Sequence, residues 1–244
     1  MAPRLLYIHV PKCGGTSFGS AVRLAYATSQ ATIRPGRSRA ICEALYPGIE
    51  GTERTLRQYE IRTVLLGDLM GRGVACISAH VPYNAGLHER LDPDRKAVTL
   101  LREPVARFLS HYAYVQRHHP GPARAAGLED FLDTEAAQRF GSTYLFYFAG
   151  RYQHHVNDLE RALGDARANM ARFTLIGDLS RTEAFRKGLR QIIGRPVVSW
   201  TRNRRPETSN ASRDVAPGLR ERIERLCAPD RAIYEHAQGL PTCV

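Results

Sequence analysis

The feature that most constrains this chain lies at its start. An apolar, β-favouring run at residues 5–10 (LLYIHV) meets P-K-C-G-G-T-S at 11–17 and then a helix-compatible segment reaching about residue 27. A second switch of the same kind follows at residues 96–101 (KAVTLL), which stop at Arg102-Glu103-Pro104 before a helix from 104 to about 117, where proline suits the first helical position. Further short strands are expected at 64–66, at 74–79 ending in His80-Val81-Pro82-Tyr83, and at 173–176 (FTLI). Helices are expected at 128–132, 136–148, 158–170, 182–193 and 218–238, whereas the polar stretch around 28–60 reads as loops about one short helix. Strands alternating with helices specify an α/β fold, a central mostly parallel sheet flanked by helices, in which ligands collect at the carboxyl ends of strands. Lys12, His80 and Arg102 all stand at such ends.

The 244 residues, 43% of them hydrophobic, suit one domain over 1–244 with a sizeable core. Lys and Arg number 35 against 24 Asp and Glu, and the resulting charge of +11 attracts polyanions or anionic small molecules. Arginine predominates, which favours bidentate grips on phosphate or sulfate, although it equally fits a bias in genome composition. The five cysteines, Cys13, Cys42, Cys76, Cys227 and Cys243, are widely spaced and form no C-x-x-C pair, so neither a disulfide framework nor a zinc site is expected. Reduced thiols, no signal-like opening and no long apolar run give the expectation of a cytoplasmic protein with no membrane segment. Asn210-Ala211-Ser212 matches a glycosylation sequon and, without secretion, reads as an ordinary loop.

The P-K-C-G-G-T-S loop joins strand to helix, so its glycines let backbone amides face a ligand while the helix N-terminus adds positive potential. Lys12 supplies a point charge, and Thr16 and Ser17 supply hydroxyl donors. A Gly-Gly turn capped by Thr or Ser is also a common structural device. The loop is not a Walker A loop, because its lysine precedes the glycines. Arg102, Arg107 and Ser110 can hold a second phosphate, or they belong to an ordinary solvated helix face. His118-His119 and His154-His155 would point apart on a helix, which argues against shared metal ligation. Tyr144, Phe146, Tyr147, Phe148 and Tyr152 read as core in preference to a sugar-stacking wall. The Arg202 to Arg205 run is either a solvated basic turn or a contact for donor or acceptor.

Taken together, V-P-K-C-G-G-T-S-F resembles the 5′-phosphosulfate-binding motif, and T-L-L-R-E-P-V-A-R-F-L-S-H-Y the 3′-phosphate-binding motif, of sulfotransferases that use 3′-phosphoadenosine 5′-phosphosulfate (PAPS). The resemblance is nearest to the carbohydrate group that includes heparan sulfate 2-O-sulfotransferases and bacterial relatives. I-S-A-H-V-P-Y resembles that group's catalytic-histidine segment, and R-F-T-L-I-G-D-L-S and A-P-D-R-A-I-Y-E-H-A its late landmarks. The resemblance implies a P-loop nucleotide-hydrolase-like fold and sulfuryl transfer from PAPS, releasing PAP without a metal, to a hydroxyl of a carbohydrate or glycolipid. It implies Lys12, Cys13, Gly14, Gly15, Thr16 and Ser17 on the 5′-phosphosulfate, Arg102 and Ser110 on the 3′-phosphate, His80 as general base and Lys12 on the leaving oxygen. Cys13 stands where the family more often has threonine, which leaves its backbone as the contact. The Arg202 to Arg205 loop resembles loosely the late loop that closes over the nucleotide.

Two other function classes compete. A nucleotide-dependent kinase with an atypical phosphate loop needs a Mg²⁺-holding carboxylate near the cradle. A non-catalytic polyanion binder would use the +11 charge alone, but the interleaved aromatics of a nucleic-acid surface are missing, so no nucleic acid is expected.

Overall fold

The structure, a computed structural model, describes residues 2–118, 127–197 and 215–244. Five parallel strands, β1 (Leu5–Ile8), β2 (Gln30–Ile33), β3 (Cys76–Ala79), β4 (Lys96–Leu101) and β5 (Leu175–Asp178), lie in the order β2-β3-β1-β4-β5. Helices flank this sheet, so the α/β fold expected from the alternating pattern is the one observed. All residues of β1 and β3 are buried, as parallel strands covered on both faces must be. Alternate residues feed opposite layers. Leu6, Ile8, Ile77 and Leu101 pack with the aromatic run Tyr144 to Phe148, while Leu5, Tyr7, Val98 and Leu100 pack with Phe18, Phe185 and Leu189. The aromatic run is therefore core.

The helices are α1 (Gly15–Ala25), α2 (Pro35–Leu45), α3 (Gly51–Gly71), α4 (Ala85–Leu91), α5 (Pro104–His118), α6 (Leu128–Leu132), α7 (Glu135–Gly141), α8 (Thr143–Ala149), α9 (Leu159–Met170), α10 (Thr182–Ile193), α11 (Pro217–Leu226) and α12 (Ala228–Gln238). No described helix is long and apolar enough to cross a membrane.

Three expectations are corrected. Residues 64–66 are not a strand but part of α3, whose buried Arg62, Leu66 and Met70 recur every four residues; a three-residue apolar run does not distinguish the two periods. The stretch around 28–60 is not loops about one short helix: it holds the edge strand β2, hydrogen-bonded only to β3 and mostly not buried, so it lacks the apolar signature of an inner strand, and then one 11-residue helix (35–45) and the first half of a 21-residue one (51–71). The helices expected at 136–148 and 218–238 are each broken in two, at Ser142 and at Cys227. These breaks face one another. Gly141 lies so close to Leu226 that an added Cβ would run into its carbonyl, and Asp230 accepts hydrogen bonds from the backbone N–H of Tyr144 (2.8 Å) and Leu145 (3.0 Å), starting α8 from a neighbouring helix.

Candidate active site

The first strand–helix switch is built from two left-handed residues, Lys12 (φ 66°) and Gly14 (φ 72°). Gly14 is favoured by its left-handed φ, and a Cβ there would in addition push aside the tip of the Leu179 side chain. Lys12 has no such freedom, and its strained backbone costs about 1–3 kcal/mol held by the surrounding fold, a pattern typical of functional loops. The turn starts α1 with Gly14 at the N-cap, where it has no side chain to satisfy the first amides, and no acid occupies the first turn. That end of the helix suits an anion. Gly15, Thr16 and Ser17 form its first turn. The Lys12 ammonium sits 4.2 Å above the ring of Tyr114 from α5. Cys13 turns the other way: its thiol is buried 3.5 Å from the Tyr144 hydroxyl, and burial pushes its pKa up to about 11. Only its backbone can face a ligand.

The second switch lies beside the first because β4 pairs directly with β1, Ile8 opposite Thr99. The Arg102 guanidinium reaches within 3.5 Å of the Lys12 carbonyl. Tyr144 ties the two together. Its hydroxyl accepts from the Arg102 backbone N–H (2.8 Å), donates to the Arg102 carbonyl and touches Cys13. At the start of α5, Glu103 accepts from the N–H groups of Val105 (3.0 Å) and Ala106 (2.7 Å), so this helix end is satisfied from within. Ser110 is half-buried on α5, about 9 Å along the axis from its first residue. Arg107 does not join Ser110 in a phosphate site. It is fully buried, ion-paired with Asp230 (3.2 Å) and bonded to Thr143 Oγ1 (2.9 Å), and no ligand reaches it.

His80 follows β3 on the other side of β1. Since Ile8 pairs with Ala79, the next residues stand side by side, and the His9 and His80 rings lie 3.9 Å apart between centroids. Arg62 from α3 donates to the His80 carbonyl (3.1 Å) and to Ser38 Oγ (2.7 Å). Burial first, then the positive charge of Arg62, lowers the His80 pKa to about 4, against an opposing hydrogen bond to the His9 backbone. His9 is lowered well below its ordinary value by burial, His80 and Arg23. Both rings are therefore neutral bases at physiological pH.

These depressed values have a stability consequence. As pH falls below about 6.5 the unfolded chain takes up protons that folded His80 refuses, so the stability present at neutral pH drains away down to about 4, by roughly 3 kcal/mol from His80 alone. Urea denaturation at pH 7 and pH 4.5 should show a clearly smaller acid loss in His80→Phe than in the parent chain; parallel losses would refute the assignment.

The structure thus brings Lys12, Arg102 and His80 to adjacent strand ends and places Ser110 on the following helix. Sequence reasoning missed His9 and Tyr144. His9 carried a usable signal, its position at the end of the first strand, but Tyr144 did not, because nothing local distinguishes it from its buried aromatic neighbours. The Arg202 to Arg205 run, His119 and the sequon at 210–212 lie outside the described residues.

Two carboxylates at strand ends are already engaged. Glu103 caps α5, and Asp178 accepts from the Ser180 N–H (2.7 Å), Ser180 Oγ (2.6 Å), Gln238 (3.0 Å) and Tyr234. Burial works to raise the Asp178 pKa, and the bonds from Ser180 and Tyr234 outweigh it and hold the group ionised.

A comparison with curated proteins finds no match. Among family models, that of the sulfotransferase domain matches residues 2–162, about two thirds of the 244. The match spans β1, the Lys12 turn, His80, Arg102 and α5, and by it the chain belongs to the sulfotransferase family.

Proposed function

We propose that this chain, acting as one domain over 1–244, transfers a sulfuryl group from PAPS to a hydroxyl of a carbohydrate or glycolipid. The observation that carries the reading is the joining of the two strand–helix turns, Arg102 to the Lys12 carbonyl at 3.5 Å with Tyr144 between them, one strand away from His80. In this reading the backbone of Cys13 to Gly15 and the first turn of α1, with Thr16 and Ser17, take the 5′-phosphosulfate. Arg102 and Ser110 take the 3′-phosphate.

The acceptor oxygen attacks sulfur in line with the bridging oxygen, the new S–O bond forms as the bond to PAP breaks, and the hydroxyl proton passes to neutral His80. Lys12 meets the negative charge that develops on the departing phosphate oxygen. His80 is a weak base in the free protein; the anionic donor beside it opposes the effect of burial and lifts its pKa towards the working range.

The test is transfer of labelled sulfate from PAPS across a panel of glycans and small alcohols, run beside Mg²⁺-ATP with the same acceptors. Transfer from PAPS without added metal supports the reading. Magnesium-dependent phosphorylation, or salt-sensitive polyanion binding with no turnover, would replace it.

A further inference from the structure

Beside the first turn of α3, Glu135, His154 and His155 each offer one ligand atom, and the three atoms lie within 4.8 Å of one another. Neighbouring histidines diverge on an α-helix, but residues Gln153–His155 form a 3₁₀ turn, and the two imidazole rings come to 4.2 Å between centroids. A second observation is independent of this convergence. Both ring nitrogens of His154 are shut off from solvent with no hydrogen-bond partner, the nearest carboxylate oxygen being Glu135 Oε1 at 3.7 Å from Nε2. Buried polar atoms left in this state need a physical reason, and an ion is one of the few.

The surroundings are built to orient such a ligand set. Thr52 Oγ1, from the first turn of α3, donates to Glu135 Oε1, and Arg139 pairs with Oε2 at 3.2 Å, so the carboxylate is held from behind. An ionised carboxylate oxygen has lone pairs enough for both Thr52 and a cation. The His154 ring is fixed by stacking on buried Tyr152, 5.8 Å away and inclined by 22°.

We propose that Glu135, His154 and His155 bind a divalent transition metal of the zinc class. Two imidazoles and one carboxylate leave a fourth tetrahedral position for water, and imidazole selects Zn²⁺, Co²⁺ or Ni²⁺ over Mg²⁺ and Ca²⁺. The ion clamps the turn at 153–155 to the start of α7, whose Glu135 is itself tied to the start of α3 through Thr52. Its role is structural, and it does not depend on the sulfuryl-transfer reading.

The experiment uses the full tag-free chain, stripped with chelator, titrated with Zn²⁺ by calorimetry and with Co²⁺ by visible absorption. One equivalent should bind, Tm should rise at saturation, and both effects should weaken at least tenfold in His155→Ala and in Glu135→Gln. Both positions are exposed, so the variants keep the fold, which circular dichroism checks. Equal binding by parent and variants, a thiolate-to-cobalt charge-transfer band signalling cysteine ligation, or no binding below millimolar Zn²⁺ would each overturn the proposal.

Discussion

Replacing His80 with alanine is expected to lower kcat for sulfuryl transfer by about 10²- to 10⁴-fold while changing KM for PAPS little, because a general base acts on the acceptor proton and not on the donor. Lys12→Ala should lower kcat by a comparable factor, since it removes charge from the leaving oxygen. Combining the two should cost less than the product of the single losses, as groups serving one transition state are not independent. Rates at saturating PAPS, with circular dichroism to verify folding, decide the matter. His80→Asn provides a polar control at the position that packs against His9. Full activity in either single variant would remove that residue from the mechanism.

The largest stability effect is expected at Asp230. It is fully buried, pairs with fully buried Arg107 and receives the first N–H groups of α8. Asp230→Ala leaves a guanidinium uncompensated inside the protein and a helix end open, which should destabilise by about 3–5 kcal/mol. Asp230→Asn keeps an acceptor for the two amides and should fall between. The loss should reach the active site as well, because α8 carries Tyr144, whose hydroxyl holds Arg102 at both backbone groups. Donor affinity should therefore fall in Asp230→Asn under conditions where the variant is still folded. Urea midpoints and PAP binding read the two effects separately. A loss below about 1 kcal/mol would show that the ion pair is not a structural keystone.

Much of this organisation is local and so was readable in advance. The β1 and β4 runs announce themselves by mostly apolar, β-favouring residues, and their terminators, the glycine turn and Arg102-Glu103-Pro104, mark the strand ends where Lys12 and Arg102 stand. What local pattern does not contain is lateral order. That the His9 and His80 rings touch follows from β3 pairing with β1 at Ile8 and Ala79, a contact across 71 residues set by how the intervening α2 and α3 cross the sheet. Arg107 looked like a helix-face cation because its partner lies 123 residues away on α12. Tyr144, one aromatic in a buried run, acquires its role only when α8 is started by Asp230. The strand expected at 64–66 failed for the complementary reason: three apolar residues satisfy either period, and burial on the α3 face at Arg62, Leu66 and Met70 decides for the helix.

The central claim is that one donor molecule spans the Lys12 turn and Arg102. Competition binding of PAPS and adenosine 5′-phosphosulfate, which lacks the 3′-phosphate, tests it most directly when run on the parent chain, Arg102→Ala and Lys12→Ala. The account predicts that the parent prefers PAPS by at least tenfold, that Arg102→Ala loses this preference, and that Lys12→Ala binds both more weakly while keeping it. A preference that survives in Arg102→Ala would contradict the claim.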